Sequence, residues 1–274
     1  MPEMPEIETI ARKLRKAIIG KRIQKVHLSG LPLRKPVAAT FAIQVEGRSI
    51  RRIHRRGKYL VLELEPLSYC LIHLGMSGRI VVDRSGSQVE KHTQAVLCLS
   101  EATELRYMDH RRFGLLATYE VRRIGQIPEL ERLGIDPLSA RFGQDRLWSE
   151  ILKSRQEIKS LLLDQQKIAG LGNIYACEAL YRAGIHPARR CYTLTRDETG
   201  KLTNAIRKVV RDAIRHRGTS FSDFMDSDGQ AGENQNYLKV FQREGRKCRR
   251  CKTGIQRIRQ GNRSSFYCPH CQTK

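Results

Sequence analysis

Residues 248–271 read CRRCKTGIQRIRQGNRSSFYCPHC, in which Cys248 and Cys251 form one CxxC pair and Cys268 and Cys271 a second, 16 residues apart. This is the spacing of a four-thiolate zinc hairpin, where each CxxC turn supplies two ligands of a tetrahedron. Redox pairs or a disulfide staple fit less well, because the other cysteines (Cys70, Cys98, Cys177 and Cys191) are scattered like ordinary buried thiols of a reducing compartment. Residues 245–274 carry nine Lys or Arg and no Asp or Glu. A purely structural zinc site has no need of that charge, so the hairpin is expected to lie on a phosphate backbone. Arg263, mid-hairpin, either turns toward nucleic acid or is one more solvated arginine.

The same charge bias extends over the whole chain. Its 274 residues hold 51 Lys or Arg against 28 Asp or Glu, a formal charge of +23. A polyanionic partner follows, most economically nucleic acid, with binding that weakens as salt rises. A ribosome-associated or membrane-surface protein shares such a balance. However, no 18-residue apolar run and no basic-then-apolar leader occur, so a soluble cytoplasmic protein with no membrane partner is expected. The length suits two domains.

Upstream of the hairpin the periodicity changes twice. Ile7, Ile10, Ala11, Leu14 and Ile18 repeat at helical spacing before Gly20. From residue 21 to 119 short β-type runs follow: Ile23–Leu28, Phe41–Val45, Ser49–His54, Tyr59–Leu64, Tyr69–Leu74, Arg79–Val82, Ala95–Leu99, Glu104–Met108 and Leu115–Tyr119. Many short strands punctuated by Gly, Pro and Ser predict a sandwich or barrel. A connector with Pro128, Gly134 and Pro137 leads into predicted helices at Asp145–Lys153, Glu157–Leu163, Asn173–Ala183 and Arg196–Arg217. Residues 218–235, small and polar, read as a mobile loop.

Three further stretches carry chemistry. In MPEMPEIETI, residues 1–10, removal of Met1 leaves Pro2 as a secondary amine. Such an amine attacks a sugar aldehyde carbon to give an iminium, and an α-amino group titrates about 2.5 units below a lysine. Glu3 beside it can move protons. Equally, Pro5 and Glu6 suit a helix lead-in with no catalytic meaning. Lys58 follows Gly57 at a strand start, at the end of a basic block beginning at Arg48. The segments HLGMSG (73–78) and DHRRFG (109–114) each put bulky side chains among glycines at strand ends. Met76 and Phe113 are then either core residues or, with Arg111, the wedge and gap-filler a duplex-opening protein needs. Finally, Asn173 follows a Gly-punctuated turn and opens a helix, a site for a phosphate or merely an Asn cap.

Together PEMPEIET, RRGKYL around Lys58, HLGMSG, DHRRFG, LLLDQxxIAGLGNIYACE and the finger ending NRSSFYCPHC resemble one family along nearly the whole chain. The family is the bacterial formamidopyrimidine-DNA glycosylases, which excise oxidised purines. The resemblance implies an α+β fold: an N-terminal helix and β-sandwich catalytic domain (1–125), a linker (126–142), a helix-two-turns-helix DNA-binding domain with a lesion loop (143–235), and a four-cysteine zinc-finger β-hairpin (236–274). It implies a monomer that binds double-stranded DNA containing oxidised purines in a cleft between the domains, with one structural Zn2+ on Cys248, Cys251, Cys268 and Cys271. Pro2 would form the Schiff base at C1′, Glu3 would act as acid and base, and Lys58 would assist base recognition or β-elimination. Arg263 would assist δ-elimination and grip phosphate. Met76, Arg111 and Phe113 would fill the gap left by the flipped base, with Arg111 reading the opposite cytosine. His92, Arg155, Lys159 and Asn173 would contact phosphates. Met4, Ile7 and Lys247 depart mildly from the pattern, and the 218–235 loop leaves base preference open. Two other readings remain: an oxidised-pyrimidine glycosylase of the same fold, against which the Met76, Arg111, Phe113 set argues, and a non-catalytic DNA-binding zinc protein.

Overall fold

A computed structural model describes residues 2–221 and 224–273; Met1, Lys274 and positions 222–223 of the expected loop lie outside the described residues. The chain packs into two compact units, Met1–Arg132 with His216–Gln235, and Leu133–Arg215 with Asn236–Lys274.

The first unit opens with α1 (Met4–Ile18), whose apolar stripe (Ile7, Ile10, Ala11, Leu14 and Ile18) is fully buried in the core. Then come β1 (Ile23–Leu28), α2 (Phe41–Val45), β2 (Ser49–Arg56), β3 (Tyr59–Glu65), β4 (Ser68–His73), β5 (Arg79–Arg84), β6 (Thr93–Leu99), β7 (Thr103–Met108), β8 (Leu115–Tyr119) and the short α3 (Pro128–Glu131). The strands form two four-stranded antiparallel sheets, ordered β1-β6-β7-β5 and β2-β3-β4-β8, with the apolar side chains between them. Phe41–Val45, expected as a strand, is instead a helical turn. Phe41 and Val45 are buried while Ile43 is 79% exposed, a pattern that an i, i+4 pair satisfies and that alternation, which puts 41, 43 and 45 on one face, does not.

Register explains where the two glycine-rich segments fall. His73 at the end of β4 pairs with Leu115 at the start of β8, and Arg79 at the start of β5 pairs with Met108 at the end of β7. Residues 74–78 and 109–114 are therefore the two crossings between the sheets at one end of the sandwich. The described residues of 218–235, read from sequence as a mobile loop, group with the first unit. Phe224 joins the sandwich core, and Met225 bridges Ala231 to close a small hairpin.

The second unit contains α4 (Gln144–Leu152), α5 (Ile158–Leu163), α6 (Asn173–Ala183), α7 (Arg196–Arg215) and the finger strands β9 (Gln256–Gln260) and β10 (Arg263–Tyr267). α6 ends at Gly184, whose φ of 76° makes the left-handed cap that a side chain would strain. A second apolar cluster, including Tyr181, Phe241, Ile255 and Phe266, seats the finger on α6. No described helix is long and apolar enough to cross a membrane.

Candidate active site and nucleic-acid interface

Pro2 and Glu3 are buried at the entry to α1. Glu3 is the extended N-cap residue, and its N–H donates to Glu6 Oε2 at 2.8 Å while its carbonyl accepts from Ile7 N–H at 3.2 Å. The peptide after Pro2 is thus held by the first helical turn, as a capping box holds it. Glu6, 1% exposed, uses its other oxygen to accept the Thr219 N–H at 2.8 Å. From sequence Glu6 fitted only a helix lead-in; its place three residues after Glu3 was the signal for the capping box it makes.

The next turn of α1 reaches the Lys58 strand start. Glu8 Oε2 accepts from Arg55 Nε at 2.9 Å, and Arg55 Nη1 donates to the carbonyl of Gly57 at 3.2 Å. Burial would raise the pKa of Glu8, but Arg55, Arg12 and Arg15 outweigh it and hold the carboxyl below its ordinary value. This chain of bonds fixes the turn at Gly57 (φ 57°) from which Lys58 starts. Lys58 is buried. Burial first, and then the Lys58 charge, push His73 down to about 4. The neutral His73 ring lets Nδ1 accept the Gly75 N–H at 3.0 Å.

At the sheet crossings Met76 and Phe113 are exposed, 42% and 46%, and the Arg111 guanidinium lies 4.8 Å from the Phe113 ring centroid. Both crossings hang on Asp109, which is 1% exposed and did not stand out in the sequence except as the first letter of its motif. Its carboxylate accepts from Ser77 Oγ at 2.7 Å on one crossing and from Gly114 N–H at 2.8 Å on the other. Ser77 Oγ in turn accepts the Arg111 N–H at 3.3 Å. Glycine is required here: a Cβ on Gly75 (φ 59°) would stand 2.5 Å from the Phe113 carbonyl carbon. Exposed His92 joins the same end, its carbonyl accepting the Asp109 N–H at 3.1 Å and its ring 6.1 Å from that of His110. An apolar tip, an arginine stacked on an aromatic and a histidine are thereby presented together.

The second unit builds another cluster. Asn173 donates from Nδ2 to the Ser264 carbonyl at 3.0 Å, linking the start of α6 to the finger. An open cleft of about 540 Å³ lies there, lined by Asn173, Gln242, Arg257, Asn262 and Arg263 among others. Asn173 Oδ1, buried and without a hydrogen-bond partner, faces the same neighbourhood as exposed Arg263. Lys159, expected on DNA phosphate, is 1% exposed and donates to Ser264 O at 3.0 Å and Ser265 Oγ at 2.5 Å. A buried ammonium needs such acceptors, so it braces β10 beside Arg263 from within. Arg155 is exposed in the turn before α5, its carbonyl accepting from Arg190 Nη1 at 3.4 Å.

The four finger sulfurs lie within 4.8 Å of one another, with Cys248–Cys271 at 3.9 Å and Cys251–Cys268 at 3.4 Å. Four thiolates about 2.3 Å from one ion would sit close to 3.8 Å apart, so the donor set fits tetrahedral zinc. Tyr181 Oη of α6 lies 3.2 Å from Cys248 Sγ, and Arg250 stacks 4.4 Å from the Tyr181 ring centroid. The carboxylate of Glu178, one turn earlier, accepts the backbone N–H groups of Lys239, Val240 and Phe241 at 2.9–3.0 Å. Burial pushes its pKa up against those three donors. Sequence reasoning missed this residue, whose signal was an acid on the buried face of an apolar helix.

Comparison with known proteins covers the chain in three parts. Residues 1–116 match the formamidopyrimidine-DNA glycosylase N-terminal domain, 133–225 the formamidopyrimidine-DNA glycosylase H2TH domain, and 245–274 the zinc finger found in FPG and IleRS. With that match, the four cysteines hold one structural zinc. The formamidopyrimidine-DNA glycosylase of Desulforamulus reducens is 42% identical over 274 residues, 99% of each chain, and that of Pelotomaculum thermopropionicum is 40% identical over 99% of each. Among solved structures, the MutM (FPG) protein of Thermus thermophilus aligns with a TM-score of 0.88 at 37% identity, covering 99% of this chain and 98% of that one. A Lactococcus lactis FPG mutant in complex with Fapy-dG-containing DNA aligns at 0.92 and 31% identity over 100% of both chains. On identity and coverage of this extent, the chain belongs to the formamidopyrimidine-DNA glycosylase family.

Proposed function

We propose that the chain, once Met1 is removed, is a bifunctional DNA glycosylase and AP lyase of base-excision repair that acts on oxidised purines, 8-oxoguanine and formamidopyrimidines, in double-stranded DNA. The damaged nucleotide leaves the stack, and Met76, Arg111 and Phe113 occupy the space it vacates. The Pro2 nitrogen attacks C1′, the glycosidic bond breaks, and the base departs with a proton. Ring opening leaves an iminium between Pro2 and C1′. Removal of a C2′ proton then expels the 3′ phosphate, and a second elimination expels the 5′ phosphate; Glu3 and Lys58 serve these proton transfers. Arg263 and Asn173 grip phosphate at the finger, with His92 a further contact from the first unit. Action on chromosomal DNA goes with a cytoplasmic enzyme, and the family likeness with one that works as a monomer.

The observation that carries this reading is the fixed entry to α1: the peptide next to Pro2 is bonded to Glu6, which gives the amine a rigid mount. The test is borohydride trapping on a duplex with 8-oxoguanine opposite cytosine. A covalent adduct forms with the processed wild type and none with Pro2→Gly or with Met1 retained. Adduct formation that survives Pro2→Gly, or none with wild type, overturns the assignment. Full function in a chain with a blocked N-terminus would favour a non-catalytic zinc protein.

A further inference from the structure

Residues 218–221 and 224–232 are fastened to α1 at two places on one helical face. At the near end, Glu6 accepts the Thr219 N–H, and Gly218 lies so close that an added Cβ would stand 2.9 Å from Glu6 Oε1. At the far end Lys13, seven residues and so two turns along the same face, pairs ionically with Asp226 Oδ2 at 2.7 Å and donates to Asp228 Oδ2 at 2.5 Å. The receiving hairpin is itself well made. Asp226, 0% exposed, accepts the N–H groups of Asp228 and Gln230 on Oδ1, each at 3.0 Å, and Ser227 O accepts the Val82 N–H at 3.1 Å. Burial would lower the pKa of Lys13, but the two carboxylates raise it above its ordinary value.

We infer that Lys13 is a positioning residue, whose bridge to Asp226 and Asp228 sets the register of the 218–232 segment on α1 and thereby governs base release separately from strand cleavage. The inference rests on Pro2 being the nucleophile. Through Glu6, the Thr219 amide is two hydrogen bonds from the peptide that carries Pro2. On this inference a base attached to the carbon Pro2 attacks lies against this segment's near end. Breaking the glycosidic bond requires the base to be held at a set angle to C1′, and that angle follows the segment. An abasic sugar carries no base, so its attack and the eliminations call on Pro2, Glu3, Lys58 and Arg263 without a base to orient.

The experiment compares full-length wild type, Lys13→Met and Lys13→Arg in single turnover. One substrate is an 8-oxoguanine duplex, with base release as the readout; the other is a preformed abasic duplex, with strand cleavage and borohydride adduct as readouts. Lys13→Met slows base release by on the order of tenfold or more, the scale of a small misplacement in a reacting geometry. Abasic cleavage stays at the wild-type rate, and Lys13→Arg, which restores the charge, recovers base release. Asp226→Asn with Lys13→Met loses no more than either alone. Unchanged base release in Lys13→Met, or an equal fall in both reactions, overturns the inference. Wild type that forms no abasic adduct instead overturns Pro2 as nucleophile, so the two failures are distinct.

Discussion

Among single residues, His73 and Asp109 show how much of the candidate site rests on side chains that hold the backbone of the two sheet crossings. The His73 ring must stay neutral to accept from Gly75, and burial plus the Lys58 ammonium keep it so, with a pKa of about 4. That is below its value in an unfolded chain, so the unfolded state binds the proton first. The resulting stability is complete above pH ~6.5 and is lost as pH falls through the folded pKa, a change on the order of 3 kcal/mol. Urea unfolding across this window should therefore show a steeper loss for wild type than for His73→Gln, whose amide oxygen accepts without titrating. Equal slopes would remove His73 from the account. The nearby Asp109 is the shared anchor of Met76 and of Arg111 with Phe113, which explains why two motifs 36 residues apart act at one place.

At the scale of elements, α1 acts as a frame as well as a core helix. One face buries Ile7, Ile10, Leu14 and Ile18, while Glu6, Glu8 and Lys13 bind the 218–232 segment and the Arg55 to Lys58 turn. α6 does the same for the finger, through Asn173 at its start, Glu178 within it and Tyr181 near its end. Replacing Glu178 by Ala would leave three backbone donors of residues 239–241 buried without an acceptor. The expected cost is at least about 3 kcal/mol in denaturant unfolding, with lost hydrogen-exchange protection at those amides. Protection unchanged at 239–241 would show that the nest is not what holds this turn.

For the molecule as a whole, charge and metal are the terms that can be separated by measurement. With a net charge of +23, affinity for duplex DNA should fall linearly in log–log form with salt. Arg263→Ala should shrink that slope by about one contact without changing lesion preference, while Lys159→Met, whose charge is turned inward, should leave the slope as it is. Removing zinc by chelation, or Cys248→Ser, should melt the β9–β10 hairpin, because the metal supplies folding energy that its small apolar cluster does not. DNA affinity should drop with it, as read by titration with a fluorescent duplex; retained affinity in the metal-free protein would detach the finger from binding.

Local patterns in the chain were enough to place most of its elements and to name its candidate chemistry. The CxxC spacing, the stripe of α1, the alternating strands and the glycine-framed motifs each depend on residues close in sequence, where periodicity and turn chemistry are decisive. The secondary amine of Pro2 is likewise a property of one residue and its neighbour. Only tertiary structure decided that Lys159 faces inward to Ser264 and Ser265, that Phe41–Val45 is a helical turn, and that Thr219 and Asp226 fasten to the helix that follows Pro2. It also decided that Glu6, Glu8, Lys13, Asp109 and Glu178 are what hold the site. These charged side chains look like ordinary surface residues in a basic chain, and their partners stand far away in sequence. What makes them informative is burial, which removes water as an alternative partner and leaves one arrangement in which each charge is satisfied.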